Sequence, residues 1–135
     1  MLGELLSEDR GQITNTRVLP SEPGQGPRLE ISFESQGTLL DIGYQSVATY
    51  TGVARPDGTI VGEGQGFVTS SRGDLATWRG NGVGRMTETG GTEFRGAIYF
   101  ESASPDWAPL NRVAGVFEYN TDAGGKTESR VWAWR

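Results

Sequence analysis

Glu63, Gln65, Arg95, Tyr99 and Glu101 are the residues of this chain whose types could do chemistry if the fold brings them together. A carboxylate in a low-dielectric cavity has its pKa raised and can move a proton, and an arginine beside it can hold it or take the polar end of a ligand. Glu63 and Tyr99 are the candidate catalytic groups on this reading. Tyr50 and Trp78 add aromatic surface, which with a few placed polar groups is what small-molecule pockets are made of. The expected ligand site is therefore Tyr50, Glu63, Gln65, Trp78, Arg95 and Tyr99, with Arg79, Asn81 and Arg85 as the fallback on the opposite face. The bland alternatives are an ordinary Glu63–Arg95 ion pair and aromatics that simply fill a core.

The residues that are missing narrow the chemistry further. In 135 residues there is no histidine and no cysteine, which excludes zinc sites built on those ligands, thiol catalysis and the Ser-His-Asp arrangement. No metal site and no cofactor is expected. Seventeen acidic against twelve basic side chains give a net charge of −5, and no basic run compensates, so nucleic acid is not the expected partner. No apolar stretch approaches membrane-spanning length and the first ten residues lack a signal-peptide core, which makes a cytoplasmic location and no membrane the expectation. Gly62-Glu63-Gly64-Gln65-Gly66 and Gly80-Asn81-Gly82-Val83-Gly84 resemble phosphate loops, but neither opens a helix.

The elements that must position these groups are strands. From Arg28 onward, short β-branched and aromatic segments alternate with Gly, Asp and Ser punctuation about every ten residues, the spacing of an all-β sandwich or barrel. Residues 1–27 read as an N-terminal strand (Gln12 to Leu19) and a linker packing on a barrel formed by residues 28–135. Two-residue turns centred on Asp57-Gly58, Arg72-Gly73 and Gly90-Gly91 place Tyr50, Glu63, Gln65, Phe67, Trp78, Arg95, Tyr99 and Glu101 on one face, with Gly52, Gly80, Gly82 and Gly84 as clearance. A turn near Ala123-Gly124-Gly125 puts Trp132 and Trp134 on the side of Gly115 and Phe117. Glycine inside strands marks bends or close approach of a large neighbour, which favours a closed antiparallel barrel of about eight strands with a partly polar interior. Trp107, in the long break from Ser102 to Leu110, is a lid, a dimer contact or a loop anchor. The lack of a clean polar face along Val47 to Val53 and Phe94 to Phe100 predicts a homodimer or higher homo-oligomer.

Gly62 to Gly66, Ala76-Thr77-Trp78 with Gly80, Gly82 and Gly84-Arg85, Phe94-Arg95-Gly96, Gly115 to Tyr119 and Trp132-Ala133-Trp134 together resemble a family of small uncharacterised prokaryotic single-domain proteins. More weakly, the pattern is similar to allene oxide cyclase-like and calycin-like (lipocalin-like) barrels, and that resemblance implies about eight antiparallel strands around an apolar ligand. It carries no catalytic residue over. Three functions follow as expectations: binding of a small apolar or anionic molecule in the interior, a cofactor-free isomerase or cyclase using the same cavity, and a structural or oligomerising barrel without a ligand.

Overall fold

The chain reverses direction at four glycines with left-handed backbone, Gly58 (φ 89°), Gly73 (87°), Gly90 (91°) and Gly125 (83°). In a computed structural model that describes residues 2–135, each closes a loop of the same kind. At the first, Arg55 N–H donates to Thr59 O (2.8 Å) and Gly58 N–H to Arg55 O (3.0 Å), leaving Pro56-Asp57-Gly58 as the loop. This is a type I turn followed by a glycine bulge, a common three-residue hairpin connection. The Ser70–Asp74, Thr87–Gly91 and Asp122–Lys126 loops repeat the hydrogen-bond pattern. One hairpin is tighter: Leu39 pairs with Ile42, and Leu40 (φ 49°) and Asp41 (φ 65°) make a two-residue turn. Asp41 tolerates that backbone region and Leu40 does not favour it, but Leu40 packs against the core and donates its N–H to Leu6 O (2.9 Å).

Eight antiparallel strands result: β1 (Leu2–Leu19), β2 (Arg28–Leu39), β3 (Ile42–Ala54), β4 (Thr59–Thr69), β5 (Leu75–Met86), β6 (Thr92–Glu101), β7 (Ala114–Thr121) and β8 (Lys126–Trp134). They close in sequence order, with β1 completing the barrel between β2 and β8. The segment expected to pack on the barrel therefore contains one of its walls. Beyond Gln12, β1 leaves β8 but stays with β2, which is itself paired with β3 along its whole length, so the end of β1 is an edge of the sheet. Val18 there is 77% exposed, and this edge helps explain an accessible surface of 8028 Å², above the ~6,900 Å² of a compact monomer of this mass.

Three-residue loops shift the register from the expected one and correct half of the face assignment. Tyr50 pairs with Gly64 instead of Gln65, and Trp78 with Gly66 instead of Phe67. A slip of one residue turns a whole strand over. Two successive slips cancel, so Tyr50 on β3 and Trp78 on β5 face inward as expected, whereas β4 and β6 are inverted. There the inward positions are Gly62, Gly64, Gly66 and Val68, then Phe94, Gly96, Ile98 and Phe100. At the last hairpin Gly115 pairs with Ala133 and Phe117 with Val131, which puts Trp132 and Trp134 on the outer side, opposite to expectation.

Two hydrophobic clusters fill the barrel. One gathers Leu39, Ile98, Phe100, Val131 and Ala133 around Trp107 and Leu110, which the short 3-10 helix Ala108–Arg112 presses into one end. Trp107 is fully buried and its indole N–H donates to Leu39 O (3.0 Å). It is a loop anchor. The other cluster is Phe33, Ala48, Phe94 and Tyr119, and Trp78 and Phe117 pack against both. Among the described residues, no helix is long and apolar enough to cross a membrane.

Candidate functional site

Bordered by both clusters is a cavity of about 100 Å³. Its two sides are built differently. On β4, β5 and β6 glycines recur at the inward positions, with large rings laid over them. A Cβ on Gly66 would lie 2.7 Å from the Trp78 ring, and one on Gly84 would lie 2.6 Å from Phe94. Aromatics do occupy the space over glycine, but the pairs are Gly66 with Trp78 and Gly84 with Phe94 in place of the expected Trp132 and Trp134 against Gly115 and Phe117. These glycines face inward within strands and open no anion-binding loop, because a side chain at either position would drive the ring into the cavity.

On β1, β2, β3 and β8 polar side chains stand at inward positions among apolar ones such as Phe33, Leu39, Ala48 and Val131, and they gather around one carboxylate. Asp9 lies on β1 across from Ser129 of β8 and Gly37 of β2, and Gly37 in turn faces Tyr44 of β3. Its Oδ2 accepts from the Tyr44 hydroxyl (2.6 Å) and the Ser35 hydroxyl (3.2 Å), and its Oδ1 accepts from the Ser129 hydroxyl (2.8 Å). Ser7 and Tyr44 hydroxyls share a further hydrogen bond of 3.0 Å. Burial pushes the Asp9 carboxyl above the usual range, partly offset by its three donors, Tyr44 foremost. Burial first, and the adjacent Asp9 charge second, push the Tyr44 hydroxyl far above its ordinary value. Tyr44 therefore remains a neutral donor across the physiological range.

Tyr119 extends this wall. It pairs with Ser129 across the β7–β8 ladder and packs against Phe33 (ring centroids 5.1 Å) and Tyr50 (5.4 Å). Its hydroxyl is buried and makes no hydrogen bond of ordinary geometry; the Tyr50 phenol is its near neighbour, close enough for each to shift the other's titration. Desolvation holds both phenols above their usual pKa, Tyr119 the more strongly. A buried donor without an acceptor costs about 1–3 kcal/mol, so this hydroxyl is poised to gain from a guest that accepts its proton.

Among the residues expected in the site, Tyr50 and Trp78 border the cavity. Glu63, Gln65, Arg95 and Tyr99 do not come together inside; all four are exposed on the outer wall, Tyr99 at 56%. Arg95 spends its guanidinium on Asn120 Oδ1 (3.0 Å), on Phe94 O (2.8 Å) and on Glu118 (3.8 Å). Gln65 donates to Thr49 O (3.1 Å). The fallback residues Arg79, Asn81 and Arg85 are exposed on the same outer wall, since β4 inverts relative to β5 in the corrected register, and Arg85 pairs with Glu93 (3.2 Å). Glu63 and Asn81 touch the cavity only as neighbours of its glycines.

Asp9, Tyr44 and Tyr119 are the groups missed. Asp9 sits in an acidic stretch with Glu4 and Glu8, and only its parity with Ser7 and Gly11 on a barrel strand distinguishes it from a solvated charge. Among the described residues it is the only charged side chain at an inward strand position.

No family model matches the chain, and no curated protein does. Solved structures do. A protein of unknown function from Clostridium acetobutylicum superposes with a TM-score of 0.86 over 100% of both chains at 14% identity. A conserved protein of unknown function from Rhodopseudomonas palustris gives 0.82 at 16% identity, covering 98% of this chain and 97% of its own. A beta-barrel like protein from Acinetobacter baumannii gives 0.84 at 12%, covering 100% and 96%. What they share with this chain is the fold. The eight-stranded barrel is thus one carried by bacterial proteins that have little sequence in common with this chain, consistent with the expected family of uncharacterised barrels.

Proposed function

We propose that the protein binds a small, mostly apolar, uncharged molecule inside the barrel, with an oxygen of the ligand accepting the Tyr119 hydroxyl. The observation that carries this is the cavity of about 100 Å³ with rings on one side and an unpartnered phenol on the other. An engineered core cavity of about 150 Å³ admits benzene, which sets the guest here at roughly one ring. An anion is the poorer fit. The expected cation, Arg95, is on the outer wall, and the charge that borders the cavity is the Asp9 carboxylate, so a second negative charge would meet repulsion and desolvation together. Ligand-observed NMR with cyclohexanone, benzene and benzoate tests this. The two neutral rings are expected to bind and benzoate is not, and Tyr119→Phe should weaken cyclohexanone several-fold while leaving benzene unchanged. Failure of both neutral probes at millimolar concentration would overturn the reading.

A further inference from the structure

Binding alone leaves a buried carboxylate without a task. Asp9 borders the same cavity as Tyr119, and the two stand in one row of the barrel, Asp9 facing Ser129 and Ser129 facing Tyr119. Two strand spacings put their Cα atoms about 10 Å apart, with both side chains turned toward the axis. A molecule of one ring spans what remains between a carboxylate and a phenol. The hydrogen bonds around Asp9 are uneven: Oδ2 is engaged by two donors and Oδ1 by Ser129 alone. A carboxylate has about four lone-pair sites, so Oδ1 retains one for a substrate proton.

We propose that the interior is a proton-transfer site for small uncharged ketones bearing an acidic C–H beside the carbonyl, with Asp9 Oδ1 as the base and the Tyr119 hydroxyl as the donor to the carbonyl oxygen. It rests on the binding of an uncharged carbonyl compound proposed above. In the forward step the α C–H bond breaks and an O–H bond forms on Asp9. The electron pair moves into the carbonyl, and the resulting enolate oxygen accepts from Tyr119. The Asp9 carboxyl then gives a proton back, either to the α-carbon, which leaves a solvent-derived isotope there once the carboxyl proton has exchanged with solvent, or to the γ-carbon of a β,γ-unsaturated ketone, which moves the double bond into conjugation; either route restores the carboxylate. Nothing is oxidised or reduced, and no co-reactant enters. Burial makes Asp9 more basic than a surface carboxylate and keeps Tyr119 protonated, the two conditions the step requires.

The test uses 3-cyclohexen-1-one in deuterated buffer, following the conjugated enone by ultraviolet absorbance and deuterium incorporation by NMR. The wild-type protein is expected to exceed the buffer blank at least about 100-fold, the lower range of acid–base catalysis. Asp9→Asn should return to the blank while still showing saturation transfer to the ketone, and Tyr119→Phe should slow turnover about tenfold or more. Ser129→Ala removes the donor on Oδ1 and leaves the base, so it should move the pH profile of turnover to higher pH, which provides a readout should Asp9→Asn not fold. Wild-type protein that binds the ketone without accelerating it, Asp9→Asn that turns over as fast as wild type, or Ser129→Ala with an unmoved pH profile would each overturn the proton-transfer role. A ketone that does not bind at all would overturn the binding reading as well, and saturation transfer on the wild type distinguishes the two failures.

Discussion

The two walls of the barrel obey the same alternation and use it for opposite ends. On β4 to β6 glycine recurs at the inward positions, and the space it leaves is taken by Trp78 and Phe94 lying against bare backbone. On β1, β2, β3 and β8 hydroxyl side chains stand among the apolar inward residues and converge on a single carboxylate. The first wall sets the shape of the cavity by subtraction. The second gives it polarity, and it tolerates a buried charge only because three hydroxyls are placed to donate to it. Shape and polarity are therefore separable here, on different strands.

Substitutions on each wall can break that separation, and the glycine wall should respond most. A Cβ on Gly96 would sit 2.0 Å from the Asn81 carbonyl oxygen, a clash with backbone, so Gly96→Ala should lose about 3 kcal/mol or more by urea denaturation, or fail to fold. On the polar wall, Asp9→Ala strands the Tyr44, Ser35 and Ser129 donors and should cost about 2 kcal/mol, with Asp9→Asn recovering most of it.

Asp9→Asn should also change how stability depends on pH. A carboxyl whose pKa is raised in the folded state binds its proton more readily when folded. Its contribution is therefore full below the ordinary carboxylate value and is lost as pH rises toward the raised one. Tyr44 and Tyr119 are the titratable groups facing Asp9 from inside, and Glu8, Arg10, Glu128 and Arg130 flank it on the outer face. Thermal melts from pH 4 upward should show this decline in wild type and a flatter profile in Asp9→Asn.

Of the three inward tyrosines, Tyr44 and Tyr119 should respond differently to loss of the hydroxyl. Tyr44→Phe removes a donor to the carboxylate and should cost about 1.5–3 kcal/mol, whereas Tyr119→Phe removes a hydroxyl with no partner and should be neutral or up to about 1 kcal/mol stabilising. Equal losses for both would contradict the orphaned state of Tyr119.

The weakest expected effect lies outside the barrel. Val47, Val61, Phe67 and Val83 are each 41–48% exposed on the outer face of β3 to β5. Self-association through this face should appear by light scattering at high micromolar concentration and disappear in Phe67→Glu; a monomer mass for wild type would end that expectation.

Strand number and antiparallel order are legible in the sequence because each has a local cause in turn spacing and composition. Which face of each strand looks inward is not: the register slips by an odd number of residues, one at the Asp57-Gly58 and Arg72-Gly73 hairpins and three at Gly90-Gly91, so Gly80, Gly82 and Gly84 lie inward as expected whereas Gly62, Gly64, Gly66 and Gly96 lie on the face opposite to the expected one. Pro56-Asp57-Gly58 contains an Asp-Gly pair that suits a two-residue turn equally well, and only the hydrogen bond from Arg55 to Thr59 selects the longer loop. The one true two-residue turn, Leu40-Asp41, carries no turn-forming glycine or asparagine and is held by the packing of Leu40. Glu63 and Arg95 were placed inside by parity alone, so they moved out when parity changed. Asp9 belongs to a strand whose inward role depends on pairing with the other end of the chain, which no local pattern reports.

That pairing has a kinetic side. Asp9 and Ser129, joined by a hydrogen bond across 120 positions of sequence, meet only when β1 and β8 zip together. The seven other neighbouring strand pairs can form as successive hairpins, but the last must bring the two ends of a nearly complete sheet into contact. Folding time scales with such long-range closure, so this chain is expected to fold slowly for its size. The carboxylate would then wait, hydrated, at the open seam until its last donor arrives, and the water it sheds on closure is part of the barrier.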